Sequence, residues 1–263
     1  MGNTVLVLGG TDEGRRLALA LQECPHTRVI YALAGITRAP NVRGLATDSV
    51  HCGGFGGIAG LSDFLRRRAV SALIDATHPY ATQMTAQAVE AATQTNTAWL
   101  RLARPAWVAT PGDEWLAVNN LGAAAELLRQ RANQAVQRVF LACGTRGLDV
   151  FADLPNSQFW LRAIEPPRAP VPANIELVYA RGPFTFEAEH RCLAELGITA
   201  LVCKNSGGEA AAAKLHAARA LELPVIMVER PQSPARPSVS NVCEALLWWR
   251  QLANEKPRSE PAC

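Results

Sequence analysis

The sequence predicts an α/β fold of two lobes, each with a mainly parallel β-sheet. Short apolar runs alternate with helical stretches from residue 4 to residue 252, which is the order expected of strands joined by crossover helices. The runs are continuously apolar, as in sheets that are covered on both faces. Glycine-rich turns follow several of them, where open parallel sheets bind their ligands. We therefore predict two Rossmann-like lobes with a ligand cleft between them.

The first lobe is predicted to span residues 1–104 and to bind a nucleotide. Its apolar runs predict five strands, at residues 4–8, 28–34, 50–52, 72–75 and 98–102. Its helices are predicted at residues 13–22, 61–68 and 81–95. A stretch rich in proline and glycine then marks a crossover to the second lobe.

The second lobe is predicted over residues 105–252, followed by a disordered tail at residues 253–263. Its strands are predicted at residues 115–118, 138–142, 159–164, 175–180, 199–203 and 225–228. Its helices are predicted at residues 121–133, 185–196, 209–220 and 239–252. The tail is polar, and polar chain termini are commonly disordered.

Composition excludes several classes of protein. Hydrophobic residues make up 49% of the chain and charged residues 19%, which rules out a disordered chain and a coiled coil. The net charge is +3 and basic–aromatic clusters are absent from the sequence, which argues against nucleic-acid binding. No apolar run reaches the roughly 18 residues of a membrane span, and the N-terminal apolar run lacks the basic region of a signal peptide.

The cysteines indicate a reducing compartment. There are seven, and none of them forms a CxxC pair, so we expect reduced thiols, no bound metal and a cytoplasmic protein. The sequence leaves the oligomeric state open, and a monomer is compatible with it.

The turn after the first strand has the composition of a phosphate-binding turn. Gly9, Gly10, Thr11 and Gly14 stand between the strand and the first helix, close to the GxGxxG pattern of dinucleotide sites. Thr11 occupies the place of the second glycine, so the turn by itself fits two interpretations. It is either an anion site at a helix N-terminus or an ordinary turn in which Thr11 caps the helix.

The end of the second strand indicates which dinucleotide the first lobe would bind. NAD sites place a carboxylate there to bind the ribose, but residues 34–38 contain none. Thr37 and Arg38 instead suit the 2′-phosphate of NADP(H). The alternative is that Arg38 is an ordinary surface residue.

Two further loops follow strands at the same predicted edge of the first sheet. The glycine density of the first loop favours a shaped turn over a linker. This loop contains Gly53, Gly54, Phe55 and Gly56. The second loop contains Thr77, His78, Pro79 and Tyr80. We expect both loops near the cofactor, and for His78 and Tyr80 a catalytic and a structural role both stay open.

Basic residues follow four strands of the second lobe: Arg146, Arg181, Lys204 and Arg230. Gly182 follows Arg181 in one of these turns. The turn at Lys204 opens a helix and continues with small or hydrogen-bonding residues: Asn205, Ser206, Gly207 and Gly208. Because the carboxyl ends of parallel strands meet at one edge, we predict a rim for a ligand with several carboxylates. Each of these residues taken singly is also compatible with a solvated surface charge.

Eight sequence blocks stand in a characteristic order: LVLGGTDEGRRLA, LAGITRAPNVRG, GGFGG, IDATHPYA, RLARPAW, GTRGLDVF, YARGPFTFEAE and KNSGGEAAAAKLHAARALELPVIMVERP. Their order and spacing resemble the precorrin-6A reductases of cobalamin biosynthesis and their relatives, the cobalt-precorrin-6A reductases. The resemblance extends from about Thr4 to Arg230. Ile36 departs from it, since a polar or basic residue is expected beside Thr37.

The resemblance implies an NADPH-dependent oxidoreductase that acts on a CH–CH bond, the C18–C19 double bond of a tetrapyrrole. It implies that the turn from Gly9 to Gly14 lies along the pyrophosphate and that Thr37 and Arg38 hold the 2′-phosphate. The loops at residues 53–57 and 77–80 would surround the ribose and the nicotinamide. The substrate and its carboxylates would be held by Arg104, Trp107, Arg146, Arg181, Gly182, residues 204–208 and Arg230.

The sequence leaves several points open. The reduction also needs a proton, whose donor is Tyr80, Lys204, His78 or a water molecule. The sequence does not indicate whether the substrate carries cobalt. Two alternative functions are an NADP-dependent reductase of a smaller acidic substrate and a non-catalytic NADP-binding module.

Overall fold

A computed structural model describes residues 3–34, 42–46, 49–133, 135–232 and 237–255 of the chain. The chain divides into two compact units. The first unit contains residues 1–104 and 232–263, and the second contains residues 105–231. Each unit is built on its own six-stranded sheet.

Strands and helices alternate through the described residues. The strands are β1 (Asn3–Leu8), β2 (Thr27–Leu33), β3 (Val50–Cys52), β4 (Val70–Asp75), β5 (Ala98–Leu102), β6 (Trp115–Val118), β7 (Gln137–Ala142), β8 (Ser157–Ala163), β9 (Ile175–Tyr179), β10 (Ala200–Lys204), β11 (Val225–Val228) and β12 (Ser238–Val239). The α-helices are α1 (Asp12–Gln22), α2 (Gly57–Arg67), α3 (Thr82–Thr95), α4 (Leu121–Ala132), α5 (Phe186–Glu195), α6 (Ala213–Ala220) and α7 (Val242–Glu255). Among the described residues, no helix has the length and apolar character that crossing a membrane requires.

The first sheet has the strand order of a dinucleotide-binding fold. Its order is β3-β2-β1-β4-β5-β12, and every described pair of neighbours is parallel. Counted along the first unit this is the order 3-2-1-4-5-6, with its switch point, where the order reverses, between β1 and β4. The register aligns the carboxyl ends, because Leu8 pairs with Ala32 and Asp75, and Asp75 pairs with Arg101. Ligands of such sheets bind at this edge.

Both faces of the first sheet are covered, which explains its continuously apolar strands. Val5 and Val7 of β1 belong to one core cluster, with residues of α1 and α7. Leu6 and Leu8 belong to the opposite cluster, with residues of α2 and α3. This alternation follows from the two-residue period of a strand.

The second sheet repeats this arrangement but takes its last strand from a different part of the chain. Its order is β9-β8-β7-β10-β11-β6, again with parallel neighbours throughout the described strands. The switch point lies between β7 and β10. The sixth place belongs to β6, the earliest strand of the unit, whereas the sixth place of the first sheet belongs to β12, which comes from the C-terminal segment.

The predicted α/β class with two parallel-sheet lobes is confirmed. The predicted helix at residues 209–220 is divided into a short 3-10 helix, Glu209–Ala211, and α6. The cleft stays a prediction.

The C-terminal segment differs from the sequence-based prediction. The sequence assigns residues 239–252 to a helix of the second domain and residues 253–263 to a tail. In the structure Val239 ends β12, α7 begins at Val242, and Trp249 packs into the core of the first unit. Residues 253–255 continue α7. The amphipathic pattern identifies a helix but does not indicate which sheet the helix covers, and a strand of two residues has no pattern to detect.

Candidate functional site

One threonine side chain joins the two loops at the switch point of the first sheet. Thr11 caps α1, since its Oγ1 accepts a hydrogen bond from the Gly14 N–H at 3.1 Å. The same hydroxyl donates to the Ala76 carbonyl oxygen at 2.8 Å, in the loop after β4. Thr11 therefore has the capping role that one interpretation predicted, and it also fixes the two loops to each other.

The glycines of this turn leave room for close neighbours. A side chain at Gly9 would overlap the ring of Tyr31 on β2, and a methyl group at Gly14 would lie 3.0 Å from the Ala76 Cβ. The Tyr31 hydroxyl accepts a hydrogen bond from the Gly10 N–H at 3.5 Å, and burial raises the pKa of this phenol. The turn has the tight packing between strand and helix that dinucleotide sites require.

The acidic residues in the first turn of α1 are paired with arginines. Glu13 accepts a hydrogen bond from Arg104 at 2.7 Å, and Asp12 lies 3.5 Å from Arg15. The pairing offsets negative charge that would repel an anion at this helix N-terminus. Arg104, which is predicted to hold substrate, therefore contacts the start of α1 in the first unit. A small pocket beside the pair is lined by Thr11, Glu13, Thr77, Pro79, Leu102, Ala103 and Arg104.

A buried ion pair, which sequence reasoning missed, holds the loop after β4. Asp75 is fully buried and Arg101 is 4% exposed, and Arg101 Nη1 lies 2.5 Å from Asp75 Oδ2. Asp75 Oδ1 accepts hydrogen bonds from the N–H and the hydroxyl of Thr77, at 3.0 and 2.7 Å. The sequence contains one indication of this pair. Two neighbouring strands that are otherwise apolar, ALID and WLRL, each contain one charged residue, and the two charges are opposite.

His78 and Tyr80 follow Thr77 in the same loop, and both are half-buried. His78 Nδ1 accepts a hydrogen bond from the Tyr80 N–H at 3.4 Å, and the two rings are 5.5 Å apart. The Ala81 N–H donates to the His78 carbonyl at 2.8 Å and closes a turn ahead of α3. His78 thus has a structural hydrogen bond, and its catalytic role stays a prediction.

The loop after β3 is shaped around Phe55. Gly53, Gly56 and the adjoining Gly57 have φ between +79° and +119°, a conformation that side chains disfavour. The Phe55 ring stacks on His51 at 4.7 Å and meets Phe64 edge-on at 5.0 Å. Burial lowers the pKa of His51, and the charge of Arg68 lowers it further. The loop is a defined turn, as its composition predicts.

Thr37 and Arg38, which the sequence predicts at the 2′-phosphate, lie outside the described residues. β2 ends at Leu33, so both follow the carboxyl end of that strand by a few residues.

A lysine and a glycine turn face each other across the switch point of the second sheet. Lys204 ends β10, and its Nζ lies 4.0 Å from the position that a Gly144 Cβ would take after β7. Burial lowers the pKa of Lys204; the Cys143 thiol opposes this, and Arg146 adds to it. Burial raises the pKa of Cys143 to about 11. The arrangement brings a partly shielded ammonium group to the ligand-binding edge of the sheet.

Asn205 and Trp107, both predicted at the substrate, hold each other in place. Asn205 Oδ1 accepts a hydrogen bond from the Trp107 N–H at 2.8 Å, and Asn205 Nδ2 donates to the Trp107 carbonyl at 3.0 Å. Trp107 Nε1 donates to the Gly208 carbonyl at 3.1 Å, and Lys214 Nζ lies 4.5 Å from the ring centre. These contacts set the path of the chain from Lys204 to Gly208.

Arg230 and Gly207 fix the same turn. Arg230 donates from Nε to the Asn205 carbonyl at 2.7 Å and from Nη2 to the Pro105 carbonyl at 3.1 Å. A side chain at Gly207 would overlap that Pro105 oxygen, and the φ of Gly207 is +67°. Ser206 beside it is buried. The turn is therefore held by the hydrogen bonds of Arg230 and by the close approach of Gly207 to Pro105.

Arg181 and Gly182 lie at the far edge of the second sheet, after β9. Arg181 is exposed and lies 3.5 Å from Glu165. Next to this turn, Arg162 pairs with the buried Glu189 at 2.8 Å and lies 4.3 Å from the Phe184 ring centre. The order β10-β7-β8-β9 separates the strands of Lys204 and Arg181 by three strand spacings, roughly 14 Å. A ligand that touches both has to be large.

The predicted residues fall into groups within each unit. In the first unit, Thr11 brings together the turn after β1 and the loop after β4, while the Phe55 loop follows β3, two strands from β1. In the second unit, Trp107 and Arg230 gather at the turn after Lys204. Arg181 stands apart at the sheet edge, and Arg146 is exposed in the turn after β7.

Comparison with known proteins identifies the family. The sequence profile described as precorrin-6x reductase CbiJ/CobK matches residues 4–250. The chain belongs to the precorrin-6x reductase family. The family resemblance read from the sequence is therefore confirmed.

Individual relatives of this chain support the same family assignment. The precorrin-6A reductase of Rhodobacter capsulatus is 44% identical over 255 residues, covering 97% of this chain and 98% of the relative. That of Rhodococcus erythropolis is 43% identical over 245 residues, covering 93% and 96%. A cobalt-precorrin-6A reductase of Priestia megaterium is 28% identical over 242 residues, covering 87% and 91%. A solved structure of CobK precorrin-6A reductase, 42% identical, matches with a TM-score of 0.86 over 98% of this chain and 100% of that one.

Proposed function

We propose that this reductase uses NADPH to reduce precorrin-6A in cobalamin biosynthesis, by hydride transfer to the C18–C19 double bond. The observation that carries the proposal is the family match over residues 4–250, which includes the switch points of both sheets. The precorrin-6A reductases, at 43% and 44% identity, are more similar to this chain than the cobalt-precorrin-6A reductase at 28%. The difference favours the metal-free substrate.

The first unit has the residues that an NADPH molecule needs. The turn from Gly9 to Gly14 leads into α1, and the first N–H groups of a helix lack helical partners and attract phosphates. Thr37 and Arg38 would hold the 2′-phosphate. The loops at residues 53–56 and 77–80 would border the ribose and the nicotinamide. When bound, NADPH supplies the hydride, and the protein supplies orientation and electrostatics.

The second unit has cations spaced for a large, acidic ligand. Lys204 ends β10 and Arg181 follows β9, two strands that are roughly 14 Å apart, which suits a macrocycle better than a small acid. Arg146 would add a further charge beside Lys204. Asn205, Trp107 and Arg230 would act by holding the turn from Lys204 to Gly208. Carboxylates bound at several points would fix which face of the ring meets the hydride.

Among the three side chains that are candidates for the proton donor, besides a water molecule, Lys204 is the best supported. Its pKa is lowered by burial, and a lysine of lowered pKa releases its proton more readily at neutral pH. Tyr80 and His78 are joined by a hydrogen bond within their loop. We assign them to the nicotinamide end of the site, where they would orient the cofactor.

The proposal is tested by mixing the protein with NADPH and precorrin-6A. We expect the NADPH absorbance to fall as a product forms that is heavier by one hydride and one proton. NADH and cobalt-precorrin-6A, tested separately, should react more slowly. Folded protein that leaves NADPH unconsumed would overturn the proposal. Tight NADPH binding without turnover would indicate a non-catalytic module, and turnover with smaller acids would indicate the other alternative.

A further inference from the structure

The ion pair between Asp75 and Arg101 stands at the carboxyl edge of the first sheet. The two residues are register partners on β4 and β5, so their side chains leave the sheet on the same face. Asp75 is fully buried and Arg101 is 4% exposed. Each is the last or next-to-last residue of its strand. The pair therefore sits directly beneath the loop that follows β4.

The hydrogen bonds of the pair converge on one residue of that loop. The Thr77 N–H and hydroxyl donate to Asp75 Oδ1 at 3.0 and 2.7 Å. Arg101 Nη1 donates to the Thr77 hydroxyl at 3.0 Å, and Nη2 donates to the Thr77 carbonyl at 3.1 Å. All three polar groups of Thr77 are thus bonded to one ion pair. Arg101 also donates to the Thr85 hydroxyl on α3 at 3.2 Å.

This arrangement is poorly explained by stability. Burying two charges costs several kcal/mol each, and apolar residues of similar size are often equally stabilising or better. What a guanidinium and a carboxylate provide is a fixed geometry, because several of their hydrogen bonds have defined directions. Here that geometry is imposed on the backbone of Thr77. The Ala76 carbonyl is held separately by Thr11.

We infer that Asp75 and Arg101 are positioning residues that set the backbone of residues 76–80 against the nicotinamide end of the bound cofactor. The inference rests on the proposed function, which assigns this loop to the nicotinamide. Neither side chain touches the ligand. Thr77, predicted from the sequence as a cofactor contact, transmits the position of the pair to His78 and Tyr80.

The inference predicts a loss of rate without a loss of cofactor affinity. In Asp75→Asn and Arg101→Met, the rate constant of a single turnover with saturating NADPH should fall about 10- to 100-fold, the range expected when a reacting group is misplaced by about 1 Å. The Kd for NADPH should change by less than about threefold, because the phosphate contacts lie elsewhere. Arg101→Lys keeps the charge but loses the planar fork, so its rate should lie between those of Arg101→Met and the natural protein.

Two measurements separate positioning from folding. Unfolded protein lowers the amplitude of the single turnover, whereas a misplaced loop lowers its rate constant and raises the isotope effect of NADPH deuterated at the transferred position. Thr27→Val is the matched control, since it removes the hydrogen bond from Trp249 Nε1 at 3.2 Å at the opposite end of the first sheet. It should lower thermal stability and leave the rate constant unchanged.

Amide hydrogen exchange gives a readout that does not depend on turnover. In Asp75→Asn and Arg101→Lys, the amides of Ala76, Thr77, His78 and Tyr80 should exchange faster than in Thr27→Val. An unchanged rate constant in variants that are folded, or unchanged exchange in this loop, overturns the inference. A natural protein that fails to consume NADPH overturns the proposed function instead, and the exchange result still decides whether the pair positions the loop.

Discussion

In the turn after β1, Thr11 occupies the position of the second glycine of the dinucleotide-binding pattern. Its hydroxyl serves as an acceptor for the Gly14 N–H and as a donor to the Ala76 carbonyl. A glycine there would leave the helix start uncapped and the two loops at the switch point unconnected. The Thr11 side chain therefore caps α1 and joins the two loops, and a glycine at this position could do neither.

Replacing Thr11 by valine should destabilise the first unit. Thr11→Val keeps the shape but removes the cap and the bond to Ala76, so the free energy of unfolding should fall by about 1–2 kcal/mol. Urea unfolding followed by circular dichroism measures the change. Thr11→Ser, which keeps the hydroxyl, should recover most of it. Equal stability of the valine variant and the natural protein would show that neither hydrogen bond contributes.

His51 should make the first unit less stable in mild acid. Its Nε2 is buried without a hydrogen-bond partner in the described part of the chain, and burial and Arg68 lower its pKa. Below the ordinary histidine pKa of about 6.5, the unfolded chain takes up a proton that the folded chain resists. Stability is therefore present above that pH and is lost as the pH falls.

The variant His51→Phe isolates this contribution. A phenyl ring keeps the stack with Phe55 but cannot be protonated. The thermal midpoint should fall less between about pH 7.5 and about pH 5 in the variant than in the natural protein. Parallel pH profiles for the two proteins would exclude His51 as a source of the acid sensitivity.

At the scale of elements, the turn after β10 combines a shielded lysine with a rigid backbone. Burial lowers the pKa of Lys204, because it makes the ammonium form less favourable than it is in water. A bound carboxylate reverses this, because it favours the charged form. Binding of an acidic substrate at this turn, as proposed, would therefore be linked to protonation of Lys204.

Substrate binding should take up protons. Calorimetry of precorrin-6A binding in buffers of different ionisation enthalpy should show proton uptake on the alkaline side of neutrality, and affinity should weaken as the pH rises through the lowered pKa of Lys204. In Lys204→Met both effects should be much reduced, together with the affinity. Proton uptake of the same size in the variant would assign it to another group.

The backbone of this turn should not tolerate a side chain at Gly207. Gly207→Ala places a methyl group against the Pro105 oxygen at a φ of +67°, which should lower the free energy of unfolding by about 1–3 kcal/mol or more. Gly54→Ala is the control, because nothing lies within 4 Å of a Cβ built at that position. Similar urea midpoints for the two variants would contradict the packing described for Gly207.

The sequence predicts the bounds of the strands better than the side-chain contacts between them. The bounds of β3, β5, β6 and β11 agree with the prediction. The cause is plainest for β6 and β11, whose apolar runs are bounded by polar residues or proline on both sides. The bonds between Asn205 and Trp107 join residues 98 positions apart. The pairing of Asp75 with Arg101 depends on the register of two strands. Neither contact leaves a periodic signal, so both had to come from the structure.

At the scale of the molecule, the first unit is completed by residues from the far end of the chain. β12 pairs with β5, and Trp249 of α7 is 1% exposed within the core of the first unit. The second unit contains only the residues between them in sequence, 105–231. The chain therefore leaves the first unit and returns to it.

Truncating Trp249 should affect the two units differently. Trp249→Ala should destabilise the first unit by about 3–5 kcal/mol, the usual cost of a large cavity in a core. Amide exchange followed by mass spectrometry should show faster exchange at residues 3–102 and little change at residues 115–228. Trp160→Ala, at a buried position of the second unit, should give the reverse pattern. Uniform acceleration in either variant would mean that the units do not unfold independently.

Because residues 232–263 belong to the first unit, the second unit is synthesised in full before the first unit is complete. Every residue of the second sheet emerges before Ser238 and Val239, which close the first. Until then the nascent first sheet ends at β5, whose free edge is a template for pairing with other chains. The first unit is thus completed only after the whole second unit has been synthesised, and β12 then covers the edge of β5.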